Sequence, residues 1–158
     1  MTDFKIQIRA YETADLSRLS SIWFDASQQA HPFLGAARLR KQGTLIENVY
    51  LPNSETWVAC EAGESIGFIS LLGTSVGGLF IEPRLQGGGV GRALITHALK
   101  LKGELSLEVY AANVRAYKFY QRLGFEEITR RAKDDEGLPF ENVQMRLTTY
   151  KILEGADN

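Results

Sequence analysis

The chain has 158 residues, enough for one domain that buries most of a sizeable core. It is 44% hydrophobic, 23% charged and 10% aromatic, as in an ordinary soluble globular protein, with a formal net charge of −1. That balance provides no global field to draw in nucleic acid or an acidic membrane, so any anionic ligand must be held by local geometry.

A single cysteine, Cys60, excludes an internal disulfide and a cysteine-based metal cluster, and no metal is expected. The start, Met1-Thr2-Asp3-Phe4-Lys5, lacks the basic and then apolar pattern of a secretory signal. No apolar run approaches the roughly 18 residues of a membrane span, and the expected compartment is the cytoplasm.

In chain order, alternation in Phe4-Lys5-Ile6-Gln7-Ile8-Arg9 predicts a first strand. Thr13 is the expected N-cap of a first helix, with Asp15 in its first turn. Leu16, Leu19, Ile22, Trp23 and Ala26 recur at helical spacing and carry that helix to near Gln29. Pro32 and Gly35 break the pattern, Ala36 to Asn48 predict a second helix, and Pro52-Asn53-Ser54 a turn. Three strands follow, Thr56 to Glu61, Ser65 to Leu72 and Val76 to Ile81. Val90 to Leu101 is a helix with Val90, Leu94, Ile95, Ala98 and Leu101 on its buried side. Leu105 to Tyr110 alternates as a strand, and Asn113 to Leu123 is a helix stopped by Gly124. Phe125 to Arg131 and Asn142 to Leu147 form a closing pair around a charged loop. The expected fold is α/β (α+β), a single domain over residues 1–150 with one mixed, mainly antiparallel sheet flanked by helices. Residues 151–158 read as a short polar tail.

The chemistry concentrates where Leu79-Phe80-Ile81-Glu82-Pro83 leaves a strand and Gln86-Gly87-Gly88-Gly89-Val90-Gly91-Arg92 enters a helix. A helix start offers unpaired N–H groups and partial positive charge. Glycines remove the Cβ atoms that would hold a phosphate off, so the segment suits a phosphate or pyrophosphate. Arg92 opposes the helix dipole there and is better explained by contact with an anion. A P-loop requires Lys and then Ser or Thr after its last glycine, where this chain has Arg92-Ala93. The G-x-G-x-x-G pattern fails at Arg92 when started at Gly87 and at Leu94 when started at Gly89.

Gln86-Gly87-Gly88-Gly89-Val90-Gly91 resembles the Q/R-x-x-G-x-G/A signature of the GCN5-related N-acetyltransferase (GNAT) family. The stretch from Asn113 to Phe125 resembles that family's second hallmark, N-x-x-A-x-x-F-Y-x-x-x-G-F. The order and separation of the two fit, and the resemblance covers nearly the whole chain. It implies acetyl-CoA as co-substrate, with pantetheine lying along the fourth and fifth strands and pairing with the main chain of Leu79, Phe80 and Ile81. The segment Gln86, Gly87, Gly88, Gly89, Val90, Gly91 and Arg92 would bind the pyrophosphate through its amides. Asn113, Ala116 and Tyr117 would line the pantetheine arm, with Phe119 turned to the core. Tyr120 would protonate the departing sulfur, a role that a phenol of pKa about 10 can fill at neutral pH.

The implied reaction is acetyl transfer to a primary amine by direct attack in a ternary complex, since no cysteine sits in either hallmark. The alternative is a non-catalytic acyl-CoA sensor of the same fold. Some relatives carry a glutamate early in the fourth strand, where this chain has Thr74-Ser75-Val76, so no base is carried over. Glu82 is expected past the reaction centre. Trp23, His31 and Phe33 are candidates for the acceptor side, each with a packing or capping alternative. His97 reads as solvent-facing or partly packed, Trp57 as packing, Cys60 as a small buried hydrophobe, and Asp134, Asp135 and Glu136 as a solvated tip able to attract a cationic acceptor. The acceptor is a small-molecule or protein amine, and the chain a monomer or homodimer.

Overall fold

The computed structural model describes residues 6–148. Phe4 and Lys5 of the expected first strand, and the expected tail, lie outside the described residues. The elements in order are β1 (Gln7–Ala10), α1 (Leu16–Ala30), α2 (Ala36–Leu45), a π-helical turn (Ile46–Tyr50), α3 (Leu51–Asn53), β2 (Glu55–Glu61), β3 (Glu64–Leu72), β4 (Ser75–Ile81), α4 (Val90–Lys102), β5 (Glu104–Tyr110), α5 (Val114–Leu123), β6 (Glu126–Arg131) and β7 (Asn142–Thr148). Hydrogen bonding runs in the order β1-β2-β3-β4-β5-β7-β6. The β1/β2, β2/β3, β5/β7 and β6/β7 pairings are antiparallel and β4/β5 is parallel, the mixed sheet expected of the α/β fold.

The chain divides into two compact units. The first, residues 1–73 and 77–97, holds β1 to β3, most of β4, α1, α2 and the glycine turn. Its core includes Leu19, Ile22 and Trp23 of α1, Leu39, and Val58, Phe68 and Ile69 of the strands. Gly67 of β3 marks a close approach, because a Cβ there would lie 2.8 Å from Ile81 Cδ1 and 3.0 Å from the Phe80 carbonyl oxygen. The second unit, residues 74–76 and 98–158, holds the start of β4 and β5 to β7 with α5. Here Ser75 pairs with Ser106 and Val76 with Leu107, and both strands continue beyond that pairing. Leu105, Phe125, Val143, Met145 and Leu147 are among its buried apolar residues.

Four sequence expectations are corrected. Thr13 does not cap α1 directly. It opens a 3-10 turn, Thr13–Asp15, in which Asp15 accepts from the Glu12 backbone N–H at 2.8 Å while holding Arg9. The second helix does not stop at Asn48, because the backbone passes through the π turn into α3, with Pro52 in its first turn. On α4 Leu101 is half exposed and Leu99 is buried, since Leu101 falls at the edge of the arc centred on Leu94 and Ala98. On α5 Tyr120 is the buried aromatic and Phe119 is half-buried, because the helix end packs Tyr120 against Phe125.

Candidate active site

In the first unit, β4 ends at Ile81 and a 3-10 turn, Pro83–Leu85, leads to the glycines. Gln86 anchors this turn to the strand, its side-chain amide donating to the Ile81 carbonyl at 3.3 Å. Gly87 and Gly89 have φ of 85° and 91°, a region that side chains with Cβ rarely enter. A Cβ on either would meet nothing within 4 Å, so the surface in front of them is open. The Gly89 carbonyl accepts the Ala93 N–H at 3.0 Å, the first bond of the α4 ladder. The N–H groups of Val90, Gly91 and Arg92 therefore lie in the turn where a helix has no internal acceptors. The Val90 side chain is buried and anchors the turn to the core. Arg92 is exposed and has no carboxylate partner among the described residues. The chemistry fits a bound pyrophosphate, with open backbone, a positive helix end and an unspent cation.

On β4, Leu79 and Phe80 are half-buried and Ile81 is buried. The Phe80 ring lies 6.4 Å from the Trp23 ring, edge to face, and 5.5 Å from Phe68. Trp23 is 4% exposed, so its main service is to the core behind Phe80. Glu82 is no free base. Arg84 and Arg18 hold its carboxyl below the usual carboxylate range, Arg18 at 2.8 Å. His31 follows α1, its N–H bonded to the Ser27 carbonyl at 2.7 Å, and its ring stands edge-on to Phe33 at 5.7 Å. Burial pulls the imidazole down to about 4, so it is neutral at pH 7. His97 is packed, its ring 4.5 Å from Trp57, and Cys60 is buried on β2.

In the second unit α5 is defined at both ends by the letters of its motif. Asn113 caps the start, its Oδ1 accepting the Ala116 N–H at 3.2 Å. At the other end Gly124 takes φ 109°, its N–H donating to the Gln121 carbonyl at 3.0 Å. The Phe125 N–H donates to the Tyr120 carbonyl, also at 3.0 Å. This is a Schellman motif, completed by the apolar contact it favours: the Tyr120 and Phe125 rings are 5.4 Å apart. The Tyr120 ring is 9% exposed, and its hydroxyl has no hydrogen-bond partner among the described residues. Burial pushes its pKa up, which keeps it protonated. Ala116 is half-buried, and Tyr117 is fixed by its hydroxyl, donated to Glu127 at 2.9 Å, with Arg130 over its ring.

The charged loop is not a uniformly solvated tip. Asp134 is buried and accepts the N–H groups of Glu136 and Leu138 at 3.0 Å each, so its charge organises the loop. Asp135 is exposed and pairs with Arg131 at 2.8 Å. Sequence reasoning also missed Glu47, whose carboxylate accepts from Ser20. No spacing rule pointed to it.

A family model described as an acetyltransferase (GNAT) domain matches residues 52–127. The peptidyl-lysine N-acetyltransferase YjaB of Escherichia coli is 35% identical over 136 residues, covering 85% of this chain and 92% of that protein. The chain belongs to the GNAT family. A second GNAT relative, the E. coli peptidyl-lysine N-acetyltransferase YiaC, is 32% identical over 133 residues, covering 84% of this chain and 91% of its own length. The solution structure of apo YjaB from E. coli superposes with a TM-score of 0.82 at 33% identity, over 89% of this chain and 96% of that one. The PaiA N-acetyltransferase of Thermoplasma acidophilum, solved with coenzyme A, shares the fold at a TM-score of 0.74 and 17% identity, over 91% and 99%. This GNAT chain is an acyltransferase with N-acetyltransferase activity, which sets aside the sensor reading. No helix among the described residues is long and apolar enough to cross a membrane.

Proposed function

We propose that this GNAT protein moves the acetyl group of acetyl-CoA to the side-chain amine of a lysine in a polypeptide, by direct attack in a ternary complex. The observation that carries the reading is Tyr120. Its ring is packed against Phe119 and Phe125 while its hydroxyl donates to no described residue and is not sealed from solvent, so the proton is available to a ligand. It is a protonated donor held ready for an anion that forms only during reaction.

The thioester supplies an activated acyl group. The neutral acceptor nitrogen bonds to its carbonyl carbon, the C–S bond breaks, the Tyr120 proton goes to the leaving sulfur, and the proton that the amine releases passes to water, from which the Tyr120 hydroxyl is restored. Main-chain N–H groups of the Leu79–Ile81 stretch stabilise the negative charge on the carbonyl oxygen. Gln86, Gly87, Gly88, Gly89, Val90, Gly91 and Arg92 hold the pyrophosphate, and the open space before Gly87 and Gly89 supports that assignment. Asn113, Ala116 and Tyr117 bound the pantetheine arm. The Asn113 Oδ1 caps α5, which fixes the side chain at the start of that helix. Trp23, His31 and Phe33 belong to the acceptor side, Trp23 by backing Phe80. Direct attack is supported by Cys60, which is buried on β2 and unsuited to carry an acyl group. The lysine acceptor is supported by the two relatives named for it.

The test is thiol release from acetyl-CoA with lysine peptides, α-amines and polyamines as acceptors. Tyr120→Phe is expected to lower kcat by about 10²-fold or more while acetyl-CoA affinity stays within a few-fold. Equal losses in both would leave Tyr120 a structural residue.

A further inference from the structure

Two carboxylates of the first unit that are withdrawn from water are paired with arginine. Asp15 accepts two guanidinium N–H groups of Arg9, each at 2.8 Å, and Glu82 lies between Arg84 and Arg18. Glu47 breaks that pattern. It is half-buried in the π turn after α2, and its Oε1 accepts the Ser20 hydroxyl at 2.5 Å. Among the described residues no lysine or arginine pairs with it, and its Oε2 has no hydrogen-bond partner. Ser20 therefore orients the carboxylate through one oxygen while the other stays open to solvent, and a negative group held in one orientation with an open oxygen can receive a cation.

Its surroundings say which cation. Gly43 lies four residues before Glu47, and a Cβ on Gly43 would come within 3.2 Å of the Trp23 ring. Ser20, which orients the carboxylate, lies three residues before Trp23 on α1, so the two share a face of that helix. Trp23 in turn stands edge-on to Phe80 at 6.4 Å. The Glu47–Ser20 pair thus joins the π turn to the α1 face that carries Trp23, the ring that backs the β4 main chain assigned above to the thioester. π turns inside helices also occur disproportionately at functional sites.

We propose that Glu47 is the acceptor-binding carboxylate, receiving the ammonium group of a cationic primary amine through Oε2 while Ser20 fixes its orientation through Oε1. This rests on the acetyl-transfer reading and deepens it: the acceptor class is a cationic amine, selected by charge before it loses its proton. Ser20 is a positioning residue.

The experiment compares wild type, Glu47→Gln, Glu47→Asp and Ser20→Ala, each checked for an unchanged thermal midpoint. The acceptors are a lysine peptide and an aniline-type amine that is uncharged at the assay pH. Glu47→Gln is expected to raise KM for the lysine peptide about tenfold or more, the loss of one charge-assisted hydrogen bond. KM for acetyl-CoA, and kcat/KM for the neutral amine, should stay within about twofold. Glu47→Asp keeps the charge and should retain part of the preference. Ser20→Ala should raise the lysine-peptide KM by less than Glu47→Gln, with the preference for the charged amine preserved. An unchanged lysine-peptide KM in Glu47→Gln overturns the inference, as does an equal loss for the charged and neutral amines. If Glu47→Gln lowers the thermal midpoint, the Glu47→Asp comparison decides on the same two KM values. A wild type that releases no thiol with any amine overturns the acetyl-transfer reading and this inference with it. An active wild type with an indifferent Glu47→Gln overturns this inference alone.

Discussion

Burial of Tyr120 against Phe119 and Phe125 disfavours its phenolate, so its pKa rises and the hydroxyl keeps its proton. The same physics acts with opposite sign on His31, where burial disfavours the charged form and lowers the pKa from 6.5 to about 4. An unfolded chain takes up that proton near pH 6.5, whereas the native protein resists until about pH 4. Between those values the unfolded state binds more protons, so stability declines as pH falls through the window and levels off outside it. His31→Gln should flatten that part of a thermal midpoint against pH curve, and an unchanged slope would show that another group carries it. Glu82 illustrates what residue letters conceal. In sequence it is a carboxylate near the end of β4, and only the fold reveals that Arg84 and Arg18 occupy it.

At the scale of elements, α5 was legible to its ends because its caps are local chemistry. Asn113, Gly124 and Phe125 each act within a few residues along the chain. Asn113→Ala should cost about 1 kcal/mol of stability through the lost cap. Gly124→Ala, forced to hold φ 109°, should cost roughly 1–2 kcal/mol. Denaturant midpoints at constant slope measure both. The glycine turn behaves differently. Gly89→Ala carries a similar backbone penalty but also places a methyl where the surface is open, so CoA affinity should fall by more than the stability loss explains. Calorimetric titration with CoA, beside a melting curve, separates the two; a loss confined to stability would assign Gly89 to the turn alone. The π turn was not legible, because apolar periodicity reports 3.6-residue spacing and a five-residue hydrogen-bond turn leaves no mark in it. Leu101 was misplaced for a related reason. Spacing defines an arc of a helix but not how much of that arc the rest of the chain covers.

For the whole molecule, a net charge of −1 leaves anion binding to local donors, so affinity should depend on shape as well as charge. CoA at about 100 times its dissociation constant should stabilise the protein by about 2.7 kcal/mol, read as a raised thermal midpoint. ATP at the same concentration should raise it much less, since the P-loop letters are missing. Equal shifts would mean that the glycine turn reads phosphate alone. The sequence by itself determined the fold class and the family, because alternation, caps and glycine spacing are local signals that survive in a string of letters. Gln86 to Arg92 and Asn113 to Phe125 are each continuous segments, and a continuous segment carries its own geometry. The tertiary structure decided which groups remain available. It showed the Tyr120 ring packed while its hydroxyl bonds to no described residue, Glu82 taken up by arginines, Asp134 turned inward, and Glu47 facing Ser20 across 27 residues of chain. Those facts depend on contacts between residues far apart in sequence, and burial and charge pairing exist only once the chain has brought such residues together.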